Sequence, residues 1–361
     1  MRGLTFQGNG DLRVEELPEP TIEQPADAVI RITRSCICGS DLHILRSGEE
    51  FGFEPGQRIG HEFIGTVEAV GAEVTQFSPG DRVLSSAGVS CGACEQCGEG
   101  HEYGCSSMSM FGWAPRVWTH GGAVQGGQSE FARVPLADYV LKPMPEALAG
   151  TEHEPTLLPL TDVMSTGWHG LVSADMQPGQ RVVVIGDGAV GLSAVHGASA
   201  KRAEEVICIG HHQERLDVAE QLGATTIINS SDDQAIAAQV AELTAGQGAH
   251  VVVDSVSNTA SMATAHATVR LGGTIASLGT DHFAGNTPEV NWRDQFLRNI
   301  TITGGFIPMG RYIPELLGEV QAGRLDPAPV LSHTLALEDA PDGYRRMNER
   351  AEGVIKVALT P

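Results

Sequence analysis

The stretch from Arg181 to Gly191, RVVVIGDGAVG, limits more than any other what this chain can fold into. Its apolar residues run without alternation, which suits a strand buried on both faces of a parallel sheet. Gly186, Gly188 and Gly191 follow in G-x-G-x-x-G spacing, and the proline-free run from Ala189 to Ala200 suits a helix. In such a strand–turn–helix the first glycine makes the tight turn and the second lets the backbone approach a pyrophosphate. The third lets helix and strand pack closely. The free N–H groups at the helix start, around Ala189, Val190 and Gly191, would face the phosphates. A glycine triplet alone is a weak signal; the strand before it and the helix after it make it a dinucleotide-binding turn.

From Arg181 onward the pattern alternates between strands and helices. VVVIG, VICIG (206–210), TTIIN (225–229), HVVVDSV (250–256), GGTIASLG (272–279) and NITITGG (299–305) read as strands. Helical runs such as QERLDVAEQLG and SMATAHATVRLG lie between them, which predicts a doubly wound parallel sheet. The first residues read differently. GLTF, DLRVEEL and ADAVIRITRS are short strands punctuated by Gly8-Asn9-Gly10 and by prolines 18, 20 and 25. A chain of 361 residues is too long for one small core, so two domains are expected. The net charge of −22 argues against nucleic acid or an anionic membrane as partner. No apolar run approaches the roughly 20 residues of a membrane span, and the start lacks signal-peptide character. The expected location is cytoplasmic.

Seven cysteines in a cytosolic chain point to metal or catalysis before disulfides. Cys91, Cys94, Cys97 and Cys105, in CGACEQCGEGHEYGC, have the spacing C-x2-C-x2-C-x7-C. Four thiolates so close can fill a tetrahedral shell, which is a structural zinc site. Two disulfides or an iron–sulfur cluster are the alternatives; a reducing cytosol weakens the first, and the second would leave the other signals of the chain unexplained. Elsewhere Cys38, Asp41 and His43 lie close together with Ser40 between them, and Gly60-His61-Glu62 precedes an alternating strand. Cys38 and His61, each beside an acid that could orient it, suggest a second zinc site. Asp162, early in a helical run, reads by itself as a cap or first-turn acid. Cys36 and Cys208 read as buried small hydrophobes. Phe111, Trp113 and Trp118 read as aromatic covers in a loop.

In this order the motifs resemble the zinc-dependent alcohol dehydrogenases of the medium-chain dehydrogenase/reductase family, over essentially the whole chain. The matching pieces are CGSDLH (38–43), GHE (60–62), PGDRV (79–83), the four-cysteine lobe, TDVMSTGWHG (161–170), GDGAVG (186–191) and IKV (355–357). The resemblance implies a β-rich GroES-like catalytic domain over 1–162, a Rossmann domain over 163–305 and a return to the first domain over 306–361. It places the active site in the cleft between them. It implies two zincs per chain. Cys38, His61 and Asp162 match the catalytic ligands, with aspartate where many members have cysteine, as in a bacterial secondary-alcohol branch. Asp41 matches the acid that orients the ligand histidine, and Glu62 the residue that can approach the metal. Ser40 and His43 match the proton relay. The implied reaction passes hydride between an alcohol, secondary alcohols first among them, and a nicotinamide, giving a ketone or aldehyde. Trp113, Trp168, Phe306 and Ile307 match substrate-lining positions by place alone. An NAD-dependent polyol or diol dehydrogenase is the nearest alternative, although no row of polar groups stands out. A non-catalytic zinc and dinucleotide-binding protein is the alternative from another class. Members of this kind pair through an edge strand, here NITITGG, so a homo-oligomer, dimer or tetramer, is expected.

The cofactor preference turns on one absence. A Rossmann domain preferring NAD carries Asp or Glu about 20 residues past its fingerprint to accept from the ribose 2′-OH. That place here is Gly210, followed by His211 and His212. Without the acid, Gly210 leaves room for a 2′-phosphate, and His211, His212 and Arg215 could supply donors. This favours NADP(H) over NAD(H).

Overall fold

The computed structural model describes residues 1–113, 120–285 and 287–361, so Trp118 lies outside the described residues. The chain forms two compact units, Met1–Asp162 with Pro308–Pro361, and Val163–Ile307. Unit one begins with an antiparallel hairpin, β1 (Arg2–Gly8) and β2 (Asp11–Glu16). The hairpin reverses at Asn9-Gly10, where Gly10 takes φ +81°. β3 (Ala28–Cys36) follows and pairs antiparallel with both β4 (Glu62–Val70) and β6 (Phe131–Val134). β5 (Arg82–Ser85) and β7 (Leu141–Pro143) extend the sheet beyond β4. The short helix α1 (Asp41–Ser47) leaves the end of β3. Inward residues of β3 and β4, among them Ile30, Phe63 and Val67, pack with Phe111 into the core of this unit. The Phe63 and Phe111 rings meet edge-on at 5.2 Å.

Unit two opens with α2 (Val163–Ser173) and then alternates. Its strands are β8 (Arg181–Ile185), β9 (Glu205–Gly210), β10 (Thr226–Asn229), β11 (Ala249–Asp254), β12 (Val269–Ser277) and β13 (Thr301–Gly304). Every neighbouring pair is parallel and the order is β10-β9-β8-β11-β12-β13. This is the doubly wound sheet expected from the alternation, reversing direction of growth beside its first strand, β8. The unbroken apolar runs follow from burial on both faces: Val182, Val183 and Val184 are all fully buried. α3 (Ala189–Ala200) follows the glycine turn, and α4 (Trp292–Arg298) lies in the crossover to β13.

The chain then returns to unit one. β14 (His333–Ala336) pairs with the closing strand β15 (Val357–Thr360), with the amphipathic helix α5 (Ala340–Asn348) between them in sequence. β15 joins β3 antiparallel, so the first and last parts of the chain share one seven-stranded sheet. Among the described residues no helix is long and apolar enough to cross a membrane.

Candidate functional site

The register of β3 on β4 sets Cys36 opposite Glu62. That pairing brings the loop carrying Cys38 beside the loop carrying His61. Asp162 joins them from the end of a tight turn, Leu158–Thr161. Asp162 Oδ2 lies 3.3 Å from Cys38 Sγ and 3.2 Å from His61 Nε2. Ligand bonds of about 2.0–2.3 Å in a tetrahedron put donors about 3.3–3.5 Å apart, so the set fits zinc. Asp41, in the first turn of α1, is fully buried and accepts from the Cys38 amide at 3.0 Å. Its other oxygen stands 3.2 Å from His61 Nδ1, which leaves Nε2 for the metal.

Glu62 belongs to the same cluster, with its ligand atom within 4.8 Å of the other three. It is held there by a buried cation. Lys356 Nζ donates to Glu62 Oε1 at 2.6 Å and to the Ile37 carbonyl at 3.2 Å, and Cys36 Sγ lies 3.2 Å from Oε2. Burial, then Asp162 and Glu62, push the Cys38 thiol up to about 11. Burial also raises the Glu62 carboxyl against the opposing pull of Lys356. Burial alone would lower the His61 pKa, but Asp41 and Cys38 outweigh it and the net direction is up. Anionic donors crowded into a dry site in this way are what a divalent cation relieves. Ser40 Oγ, at the start of α1, is buried with no hydrogen-bond partner among the described residues, and His43 is buried one turn on.

The four cysteines converge separately. Cys91, Cys94, Cys97 and Cys105 bring their sulfurs within 4.8 Å of one another, with Cys91 and Cys105 at 3.5 Å. The amides of Cys91 and Ser107 both point at Cys105 Sγ at 3.4 Å. Burial pushes Cys91 upward, but the amides of Ala93 and Cys94, together with Cys105, bring it down to about 7. A shell of four thiolates leaves no open position, which defines a structural site. Glu102 fastens this lobe to its unit: its buried carboxylate accepts from Tyr139 Oη at 2.7 Å and from the Gly310 amide at 3.0 Å.

The glycine turn has the form its sequence requires. Gly186 takes φ +108°, and a Cβ on Gly191 would collide with the Gly186 carbonyl. At Gly188 a Cβ would meet nothing, and no side chain caps α3 there. Open space over uncapped helix amides fits a pyrophosphate. Gly210 departs from expectation. The room foreseen there is taken by Asp187, the residue between the first two glycines. A Cβ on Gly210 would come 2.5 Å from Asp187 Oδ2. Asp187 accepts from the amides of His211 and His212 at 2.7 and 2.9 Å and from His212 Nδ1 at 3.0 Å. Arg215 Nη1 lies 3.6 Å from its other oxygen. Burial acts to raise the Asp187 pKa, but these donors hold it below the usual carboxylate value. The carboxylate missing from the strand end thus enters from the fingerprint turn, a source that counting along the strand misses.

The residues foreseen near the substrate fall in both units. Trp113, in unit one, is buried against the rings of Phe51 and Phe53, each 6.2 Å away. Trp168, on α2 of unit two, packs against α3 at Gly197 under the Lys201 ammonium, 4.3 Å from its ring. Phe306 is half-buried and Ile307 buried just after β13.

Comparison with known proteins agrees with this architecture. The alcohol dehydrogenase GroES-like domain profile matches residues 24–146, and the zinc-binding dehydrogenase profile matches 189–322. A probable zinc-binding alcohol dehydrogenase of Mycobacterium tuberculosis is 35% identical over 362 residues, covering 100% of this chain and 89% of that one. The solved alcohol dehydrogenase TADH of Thermus sp. ATN1 superposes with a TM-score of 0.90 at 32% identity, covering 100% and 99%. Sorbitol dehydrogenase of Bacillus subtilis is 29% identical over 365 residues, covering 100% and 97%. The chain belongs to the zinc-dependent alcohol dehydrogenases of the medium-chain dehydrogenase/reductase family. It is an oxidoreductase that transfers hydride at a CH–OH carbon with a nicotinamide cofactor, and it has one catalytic and one structural zinc site.

Proposed function

We propose that this enzyme oxidises a secondary hydroxyl of a small diol or polyol with NAD(H) as its cofactor. The observation that carries the cofactor half is Asp187. A carboxylate held ionised against the end of β9 repels a 2′-phosphate and offers an acceptor to a ribose 2′-OH. Similarity to sorbitol dehydrogenase over the full chain supports the substrate half. Zinc, when bound, supplies the Lewis acidity that lowers the pKa of a hydroxyl. Ser40 takes the proton and His43 passes it on, Asp41 fixes the His61 ring, and Lys356 holds Glu62 beside the ligand set. Trp113, Phe306 and Ile307 remain the proposed apolar contacts for the substrate carbon chain; Trp168, packed under Lys201 at the far end of α3 from the glycine turn, falls outside that set.

A second reading, NADP(H), rests on His212 and Arg215, which would be freed if Asp187 turned away. One experiment separates the two. kcat/KM is measured for NAD+ and NADP+ with sorbitol, 2,3-butanediol and 2-propanol, in wild type and Asp187→Ser. The expected wild type prefers NAD+ and a diol or polyol, and the variant shifts toward NADP+ by about tenfold or more, the scale of one charge contact. A wild type preferring NADP+, or a variant whose preference does not move, overturns the cofactor assignment. Faster turnover of 2-propanol than of either polyhydric substrate overturns the substrate class.

We also propose a homo-oligomer formed through the edge of the unit-two sheet. β13 is its last strand, and Trp292, Phe296 and Leu297 on the adjoining crossover helix α4 are all exposed.

A further inference from the structure

Behind Asp41 the hydrogen bonds continue inward through two residues that neither the metal nor the cofactor touches. Asp41 Oδ2 accepts from Gln128 Nε2 at 3.2 Å as well as from the Cys38 amide. Gln128 Nε2 also donates to the Cys36 carbonyl at 3.0 Å. Gln128 Oε1 in turn accepts from Tyr344 Oη at 2.8 Å. Hydrogen bonds from Tyr344 to Gln128 and from Gln128 to Asp41, with the 3.2 Å ion-pair contact of Asp41 on His61, therefore link α5, near the end of the sequence, to a zinc ligand. Gln128, Asp41 and His61 are fully buried and Tyr344 is 1% exposed, so no water competes for these bonds.

The local backbone is shaped around this amide. The Gly127 and Gln128 amides bond to the carbonyls of Gly60 and Ile59 at 2.8 and 3.1 Å. Gly60 takes φ +93°, and a Cβ there would collide with the Gln128 side chain. Glycine immediately before the ligand His61 is thus what lets Gln128 reach Asp41. The orientation of the amide is fixed as well. Its NH2 serves two acceptors, Asp41 and the Cys36 carbonyl, and a flip would set oxygen against both. Tyr344, which has a proton to give, holds the oxygen, and its hydroxyl also bears on the Asp41 carboxylate.

We propose that Gln128 and Tyr344 are positioning residues for the catalytic metal, acting through Asp41 on His61. Gln128 holds the Asp41 carboxylate in the plane that keeps His61 Nε2 aimed into the ligand set, and Tyr344 locks Gln128 in its productive orientation. The four-cysteine site shares none of these bonds and serves as an internal control.

The test is metal retention. Wild type, Tyr344→Phe and Gln128→Leu, each with two zincs bound, are challenged with a chelator while zinc release and thermal unfolding are followed. Loss of a partner behind a metal-bound histidine costs about 10–100-fold in metal affinity. Gln128 stands one bond further back than Asp41, so Gln128→Leu is expected to hold one zinc equivalent about tenfold more weakly, the low end of that range, and Tyr344→Phe to release it several-fold faster than wild type, with the second equivalent released as in wild type. Cobalt placed at the catalytic site should show a shifted visible spectrum in both. Tyr344→Phe keeps the ring and removes one oxygen, so it remains informative if Gln128→Leu does not fold. A Tyr344→Phe protein with unchanged catalytic-site affinity and an unchanged cobalt spectrum overturns the proposal, whatever its melting temperature. The result does not depend on which nicotinamide or which alcohol the enzyme prefers.

Discussion

At the scale of single residues, the catalytic ligands work as a set of unlike donors, and the consequence of losing one can be stated. Cys38 contributes a thiolate and no fold contact on which a strand depends; its amide, not its sulfur, makes the bond to Asp41. Cys38→Ser should therefore abolish turnover and lose one of two zinc equivalents while thermal unfolding stays near that of wild type. Zinc analysis and calorimetry on the same preparation check this; an active Cys38→Ser enzyme would refute the assignment. Cys38, His61 and the four lobe cysteines were legible in the sequence because ligand chemistry restricts residue type and spacing, whereas the place of Glu62 at the metal came from the family resemblance. Asp162 needed the family resemblance, since an acid at a helix start has a simpler explanation. Asp187, Gln128 and Lys356 were not legible. Their partners lie 24, 87 and 294 residues away in sequence, at His211, Asp41 and Glu62, and no local pattern marks such a bond. Lys356 carried one faint signal, as one of only three lysines and the centre of an otherwise apolar closing stretch.

At the scale of elements, the strands and the glycine turn of unit two were readable because burial on both faces leaves unbroken apolar runs. The four-cysteine lobe was readable as a metal site but not as a tethered element. Glu102 ties it both to Tyr139 and to the amide of Gly310, where the chain has just returned to unit one. With so little regular structure of its own, the lobe depends on its metal for shape. Cys94→Ser is expected to release the structural zinc and loosen Glu102 from both partners. The measured outcome should be a lower melting temperature and faster proteolysis within 91–105, with the catalytic zinc equivalent retained. A variant that keeps two tight zincs, or melts like wild type, would contradict this.

At the scale of the whole molecule, the sheet edge and the net charge act against each other. β13 bonds on one side to β12, and among the described residues no strand pairs with its other side. An edge left this way is a template for another chain. A second copy meeting it about a two-fold axis would continue the sheet and close the assembly. On α4, in the preceding crossover, Trp292 is 72% and Phe296 81% exposed, apolar surface that the proposed contact would cover. Opposing this, a net charge of −22 per chain makes two copies repel at long range, a repulsion that salt screens beyond about 10 Å at 0.1 M. Association should therefore be driven by the apolar contact and strengthen as salt rises, the reverse of an assembly held by ion pairs. Light scattering should give a multiple of 38.1 kDa at micromolar concentration, with any dissociation appearing first at low salt. Phe296→Lys replaces an exposed apolar side chain of α4 with a cation and should yield the 38.1 kDa species with both zincs in place. A wild type that scatters as 38.1 kDa at all salt concentrations would remove the interface from this edge, as would a Phe296→Lys assembly indistinguishable from wild type.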